Sequence, residues 1–378
     1  MNRKVMRILL LMALIFASAL IIGTKKCYAS TENKTVVVGD WTYNYELRDN
    51  GNAYNVYVSK YQNGNIPTVT RRTISIPSEL EGHSVKSIGD GVHNILGKTC
   101  EESMVINGFN DVYRYLIQLE LPDSLETIND YALSGIEFKG ERIVIPNGVQ
   151  SIGKWAFANS LNDCTNKNLT IPGSVQTIGD YAFANVFYPN YTYSPEYNST
   201  TRNSMALSSN LLDWDRWISK ETLCNSLELE SGVTSIGKYA FLSQNKLSNI
   251  TIPTTLNSIG EGAFLNTRLT SVTIANGRNS ALTIDKYAFA RTNIEEFTVT
   301  SLCRLGDGVF AHCYNLNRVT LEENINKIPE YTFYYCRSLE NVTRQSDVTE
   351  IGRKAFSGCK SLSTEKYQSI VGATTKIG

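Results

Sequence analysis

Leu247-Ser248-Asn249-Ile250-Thr251-Ile252-Pro253, followed shortly by Ile259-Gly260-Glu261-Gly262-Ala263-Phe264, is one unit of a pattern that returns along this chain. In the first piece apolar and polar residues alternate, the signature of a short strand with one buried face. Pro253 ends that strand, because proline has no N–H to give to a ladder. A second short extended piece carries Ile259, Gly260 permits a tight bend, and Ala263-Phe264 drive an apolar plug inward. Clean copies are Ile152-Gly153-Lys154-Trp155-Ala156-Phe157, Ile178-Gly179-Asp180-Tyr181-Ala182-Phe183 and Ile236-Gly237-Lys238-Tyr239-Ala240-Phe241. Degenerate copies run from Ile284 to Phe289, Leu305 to Phe310, Ile328 to Phe333 and Ile351 to Phe356, with an earlier one from Ile128 to Leu133 and Ile88-Gly89 opening the array. From Ile236 onward the steps are 23, 25, 21, 23 and 23 residues. A unit of that size cannot bury its own apolar face, so successive units must stack into one continuous core.

The pattern Leu-x-x-Ile-x-Ile-Pro, then Ile-Gly-x-x-Ala-Phe, as read from Leu247 to Phe264, resembles the BspA-like leucine-rich-repeat family of bacterial surface proteins. The resemblance covers residues 72–362, about three-quarters of the chain. It implies a right-handed solenoid with a parallel strand in each coil. It also implies an exported protein that adheres to host or partner-cell proteins and takes part in co-aggregation. The motif residues are core residues, so the resemblance specifies fold far more tightly than ligand.

The ends read differently. Arg3, Lys4 and Arg7 precede an apolar run from Ile8 to Gly23, and Cys27-Tyr28-Ala29 places small residues where a signal peptidase needs them, so residues 1–29 are expected to be a cleaved signal peptide. That run is shorter than the roughly 20 residues of a spanning helix, so no stable membrane insertion is expected after cleavage. Residues 30–71 contain Trp41 to Leu47 and Ala53 to Val58, which alternate around Asp49-Asn50-Gly51-Asn52, a hairpin signal. A solenoid must cover its first coil, and this segment is the expected N-terminal β cap. Residues 363–378 are a tail or partial repeat, either a last strand or an end closed by a partner.

Composition narrows the function. The chain has 378 residues with 36 basic and 36 acidic side chains, so no global field draws it to nucleic acid or to an anionic membrane. Tyrosine is abundant at 21 and histidine scarce at 3, a balance that suits contact surfaces better than acid–base chemistry. His83, His93 and His312 sit in no nucleophile or metal motif, and no cofactor, metal or catalytic residue is assigned. The repeated Ile-Gly steps lack the Gly-Lys-Ser of a phosphate loop. Seven cysteines remain beyond the signal segment, an odd number in a chain far from Cys-dense. Cys313, Cys336 and Cys359 each follow a plug phenylalanine by three residues. Stacked side chains about 4.8 Å apart are too distant for an unstrained bridge, so they read as buried thiols.

Two interruptions break the period, at 94–116 and 187–224. The first, with Phe109, Tyr113 and Tyr115, reads as local packing or a distorted repeat. The second contains Phe187, Tyr188, Tyr191, Tyr193 and Tyr197, then Trp214, Arg216 and Trp217, residue types that dominate interface energetics. Insertions in a solenoid become loops, often on the binding face, so these eight residues are the candidate partner-binding set. The bland alternative is a loop whose aromatics fold back on the solenoid flank. Thr170, Thr251, Thr273, Thr298, Thr320 and Thr343 recur on an outward strand position and are expected to form a hydroxyl ladder suited to exposed strands. The expected protein is therefore secreted or held at the cell surface and non-catalytic. It binds a protein on a host or neighbouring cell; a self-associating envelope protein is the alternative. Sequencing the N-terminus of the exported chain should give Ser30 as its first residue, and a start at Met1 would refute the signal assignment.

Overall fold

A computed structural model of the chain describes residues 31–62, 72–92, 94–96, 116–138, 143–162, 168–185 and 224–378. The signal segment, Cys100, Cys164 and the candidate residues Phe187 to Trp217 lie outside them.

Each Ile-Gly step becomes a very short strand, and these strands hydrogen-bond in parallel from coil to coil. Ser87–Ile88, Thr127–Ile128, Ser151–Ile152, Thr177–Ile178, Ser235–Ile236, Ser258–Ile259, Leu282–Ile284 and Cys303–Leu305 follow one another in a single sheet. Isoleucine faces isoleucine at nearly every step, as in Ile152 against Ile178 and Ile178 against Ile236, with Leu305 opposite Ile284. The row continues as Lys327–Ile328, Val348–Ile351 and Val371–Ile377. On a second face the alternating strands stack in smaller groups, among them Asn249–Ile252 with Ser271–Ile274, and Glu296–Val299 with Arg318–Leu321 and Asn341–Arg344. The chain is thus a β-solenoid in which one coil contacts little beyond its two neighbours.

Between the faces lies the column of plugs. Phe157, Phe183, Phe241, Phe264, Phe289, Phe310 and Phe333 are buried, with Phe356 half-buried at the end. Successive rings stack face to face, from 4.9 Å between Phe157 and Phe183 to 5.8 Å between Phe310 and Phe333. Spacing is widest, 6.1 Å, between Phe289 and Phe310, where Phe297 wedges in at 4.7 Å from Phe310. Each plug turn also bonds to the next through its backbone, as in Phe157 N–H to Ala182 O at 2.7 Å and Phe183 N–H to Ala240 O at 2.7 Å. The close approach explains the glycine of the motif: a Cβ on Gly179 would stand 2.6 Å from the carbonyl carbon of Gly153.

The residue after that glycine projects outward and alternates in sign over Asp130, Lys154, Asp180, Lys238, Glu261, Lys286 and Asp307. Ion pairs link Lys238 with Glu261 and Lys286 with Asp307, each at 3.8 Å. Such exposed pairs add little to stability but penalise a coil that docks one step out of order.

Thr31–Val38, Trp41–Arg48 and Ala53–Tyr61 form an antiparallel meander at the N-terminal end. Gly51, at φ 74°, makes the turn proposed from sequence. Val56 of the third strand then pairs in parallel with Ile88, which hands the sheet on to the first coil. Tyr43 and Tyr45, buried in the meander, fasten it to that coil through hydrogen bonds to Ser75 O (3.0 Å) and the Glu81 carboxylate (2.6 Å). At the other end a helix, Thr364–Ile370, is capped by Ser363 and leads into the strand Val371–Ile377, which pairs in parallel with Val348–Ile351. Tyr367 on that helix meets the last plug, Phe356, edge-on at 5.7 Å. The helix carries no apolar periodicity long enough to announce itself in the sequence.

The threonine ladder is broken rather than continuous. Thr251 faces Thr273, and Thr298, Thr320 and Thr343 face one another, but Thr170 lies opposite Glu228. No strand hydrogen bonds join Ser271–Ile274 to Glu296–Val299, where the step from strand to strand is 25 residues, three more than the 22 of the steps on either side.

Truncating a ring in the middle of the column removes contacts with both neighbours. Phe264→Ala is expected to cost about 3–5 kcal/mol, read as a lower urea midpoint. Retention of the wild-type midpoint would show that the plugs do not carry the stack.

Candidate functional site

The plug turn presents an outer edge as well as an inner one. Two residues before the plug, the backbone enters the left-handed region in the nine coils from Leu133 to Phe356: Tyr131, Trp155, Tyr181, Tyr239, Gly262, Tyr287, Gly308, Tyr331 and Lys354 all have φ between 53° and 64°. Bulky side chains are strained there, and glycine at 262 and 308 is what the backbone by itself favours. Large aromatics nevertheless hold this position in six of the nine coils. They are stabilised by each other: Trp155 lies flat on Tyr181 at 4.2 Å, and Tyr181 on Tyr239 at 5.1 Å. Where glycine interrupts, the preceding ring covers it, since a Cβ on Gly262 would fall 2.3 Å from the Tyr239 ring and one on Gly308 equally close to Tyr287.

These rings rest on the residue that follows each plug. Ala184, Leu242, Leu265, Ala290 and Ala311 form with Tyr239 a second apolar cluster outside the main core, and Tyr181, Tyr287 and Tyr334 pack against it. The result is a seam along one edge of the solenoid, with Tyr181, Tyr287 and Tyr331 half-buried and their outer ring edges in solvent. The Tyr239 and Tyr287 phenols stay protonated. Burial pushes Tyr239 far up, and the Glu261 carboxylate, which accepts a hydrogen bond from its hydroxyl at 3.0 Å, pushes it further. Burial also raises Tyr287.

Toward the C-terminal coils the seam broadens. His312 stacks on Tyr335 at 5.3 Å, meets Tyr334 edge-on at 5.5 Å, and shares a 3.0 Å hydrogen bond between Nδ1 and the Tyr314 hydroxyl. The Arg337 guanidinium sits over the Tyr314 ring at 5.0 Å. Burial first, then the charges of Arg291 and Arg337, hold the His312 imidazole below its ordinary pKa, so it is neutral at physiological pH. Tyr314 is 39% exposed, high for so large a ring. Arg353 lies over Tyr331 at 5.3 Å while paired with Glu330 at 3.1 Å. Rigid tyrosines with arginines are contact chemistry, adaptable at the hydroxyl and low in conformational cost.

The eight residues singled out from sequence, Phe187, Tyr188, Tyr191, Tyr193, Tyr197, Trp214, Arg216 and Trp217, lie outside the described residues. The solenoid does fix where their segment is attached. Ile178 pairs directly with Ile236, Asn168–Ile171 with Ser226–Leu229, and Phe183 stacks on Phe241 at 5.1 Å, so the stack passes the insertion without a break. The chain leaves the described structure after Asn185, two residues past the plug, and returns at Cys224. The first interruption leaves just past Ile95, whose N–H bonds to Ala132 O and which therefore holds the plug position of its coil. Both excursions begin at the edge that carries the seam. Sequence reasoning passed over the seam itself, although the aromatic before Ala-Phe was visible in every clean copy but one. Its strained backbone was not.

Among the described residues, no group of three His, Cys, Asp or Glu side chains is placed to hold a metal ion, and no helix is long and apolar enough to cross a membrane. The thiols of Cys313, Cys336 and Cys359 donate to Phe289 O, Phe310 O and Phe333 O, each at 3.1 Å, so they tie one plug turn to the preceding one as free cysteines. Burial raises Cys313 to about 11 and Cys359 to about 12.

The profile of the BspA type leucine-rich-repeat region matches six copies, over residues 106–212, 197–281 and 282–375. Curated proteins give no match. Among solved structures, a leucine-rich repeat protein from Bacteroides ovatus is 24% identical, with 86% of this chain and 81% of that one covered and a TM-score of 0.47. A leucine-rich cell surface protein from Faecalibacterium prausnitzii is 16% identical, with 91% and 99% covered and a TM-score of 0.37. The pneumococcal vaccine antigen PcpA is 16% identical, with 92% and 99% covered and a TM-score of 0.36.

A thiol that is deprotonated only near pH 11 reacts slowly at neutral pH. Iodoacetamide at pH 8 should leave Cys313 and Cys336 unlabelled in the folded chain and label both in urea, as peptide mapping would show. Rapid native labelling would refute their burial.

Proposed function

The chain belongs to the BspA-type leucine-rich-repeat family, and from that premise we propose that it is an exported, non-catalytic binding protein of the cell surface. Its partner is a protein on a host or neighbouring cell, engaged along the plug-turn edge of the solenoid. The observation that carries this reading is the aromatic seam. Large rings occupy backbone positions that favour glycine, and strain of that kind is retained where it serves a site. The seam lies on a rigid, periodic scaffold, which lowers the entropy lost when a partner docks. The chain leaves the described structure at this same edge after Asn185 and returns at Cys224, and the residues between include the aromatic and arginine set from Phe187 to Trp217.

Solid-phase binding of the chain from Ser30 to Gly378 to extracellular-matrix proteins and whole cells tests the proposal. Deleting residues 187–218 is expected to lower binding at least tenfold with an unchanged thermal midpoint, because the coils on either side already pair. Tyr314→Ala should weaken it several-fold, again without unfolding. If both variants bind as the parent does, the plug-turn edge is not the partner site. If the parent binds no other protein and sediments as concentration-dependent assemblies, self-association replaces the reading.

A further inference from the structure

The stack presents an open strand edge at each of its two ends. Thr31–Val38 at the head and Val371–Ile377 at the tail are the outermost strands of the row, and no strand lies on their outer sides among the described residues. They are eight and seven residues long, whereas the coil strands of the row between cap and tail have two to four. Long edges of that kind are templates for pairing unless charge, proline or a bulge guards them. Lys34, half-buried and paired with Glu32 at 3.5 Å, guards the first half of the head strand. Its second half is Val36-Val37-Val38, with Val37 60% and Val38 39% exposed. At the tail a register shift interrupts the start of the strand, and Lys376-Ile377 return to register with Glu350-Ile351. Ile377 thus stands in line with Ile328 and Ile351, which are buried, yet it is 59% exposed.

The two edges match in direction and in chemistry. The head strand is antiparallel to Trp41–Arg48, which is antiparallel to Ala53–Tyr61, and that strand is parallel to the coils. Head and tail strands therefore point the same way along the row, and a head can continue a tail as one coil continues another. The tail is short of acceptors. In the preceding coil the N–H groups of Tyr331, Phe333 and Tyr335 donate to Arg353, Ala355 and Ser357 O at 3.0, 2.9 and 2.8 Å. The equivalent N–H groups of Lys354, Phe356 and Gly358 have no acceptor among the described residues. Beside them a cavity of about 340 Å³ opens between Phe356, Leu362, Tyr367 and Ile377. Arg353, Lys354 and Lys376 are exposed at this end, and residues 348–378 carry five basic side chains against two acidic ones. The head has the opposite balance, four acidic against three basic over residues 31–62, with Asp40 exposed in the turn that follows Val38.

We propose that copies of this chain associate head to tail, with Thr31–Val38 of one copy adding in parallel to the outer edge of Val371–Ile377 of the next and Val38 set on Ile377. In that register Val38-Gly39-Asp40 repeats the order of Ile88-Gly89-Asp90, where the residue after glycine leads into the plug turn. The Asp40 carboxylate then falls on the side of the tail that holds its bases and its spare N–H groups. Main-chain bonds supply the affinity of such strand addition, and charge selects the partner. Tail against tail would set bases against bases and donors against donors. Head against head would leave Ile377 and the tail donors uncovered. The contact joins two different surfaces, so it propagates into open filaments rather than closing at a dimer. It uses only the ends of the stack and leaves the plug-turn edge free, so it goes beyond the protein-binding reading and does not depend on it.

Sedimentation of the chain from Ser30 to Gly378 over a concentration series tests the proposal. The average mass is expected to rise past that of a dimer. Val38→Lys blocks only the head and Ile377→Lys only the tail. Each variant alone should sediment as a monomer, its association weakened by about tenfold or more. Mixed in equal amounts, the two should form a dimer and nothing larger, because one intact head then meets one intact tail. Unchanged thermal midpoints confirm that both variants fold. A parent that stays monomeric, a variant that assembles alone as the parent does, or a mixture that stays monomeric would each overturn the proposal.

Discussion

Everything in this molecule follows from the requirement that identical coils lie directly on one another. The stacked plug phenylalanines supply the apolar burial, and backbone bonds between plug turns fix the register to within one residue. Neither could act alone. A single coil buries almost nothing, and a hydrogen bond gains little net free energy unless the packing around it excludes water. Because the two are met at the same residues, a coil that slips loses ring contact and backbone ladder together.

That constraint also explains the deviations. Where Phe297 stands in place of an aliphatic residue, the ring column opens to 6.1 Å and recloses one coil later. The same region holds the irregular steps of 25 and 21 residues, whose sum is that of two average coils. The register error is therefore absorbed locally, and the isoleucine row runs on through Ile328 and Ile351. The long excursion at 186–223 is tolerated for the same reason. It is spliced between elements whose pairing closes without it, so its length costs the stack little.

A scaffold so repetitive separates what supports from what varies. Isoleucine, alanine and phenylalanine face inward and change little, since each is held by two neighbours. The outer edge of the plug turn is free to differ from coil to coil, and there the chain places tyrosines, arginines and both excursions. Three cysteines belong to the supporting set: the thiols of Cys313, Cys336 and Cys359 each donate a hydrogen bond to a carbonyl of the preceding plug turn, and burial raises their pKa.

By itself the sequence determined the solenoid, its plugs and its hairpin cap, because these rest on short-range patterns repeated often enough to exclude coincidence. Ile-Gly-x-x-Ala-Phe states which residues turn inward, and a period near 23 residues states that the units stack. What lies between columns was decided only by the tertiary structure. Trp155 and Tyr181 are 26 residues apart, and Tyr181 and Tyr239 are 58 apart, yet each pair becomes adjacent because coils of unequal length close on the same register. The left-handed backbone beneath those rings, the break in the threonine ladder and the helix over Phe356 are likewise consequences of neighbours in space. Local sequence encodes which face a residue takes; only stacking decides which residue it meets there.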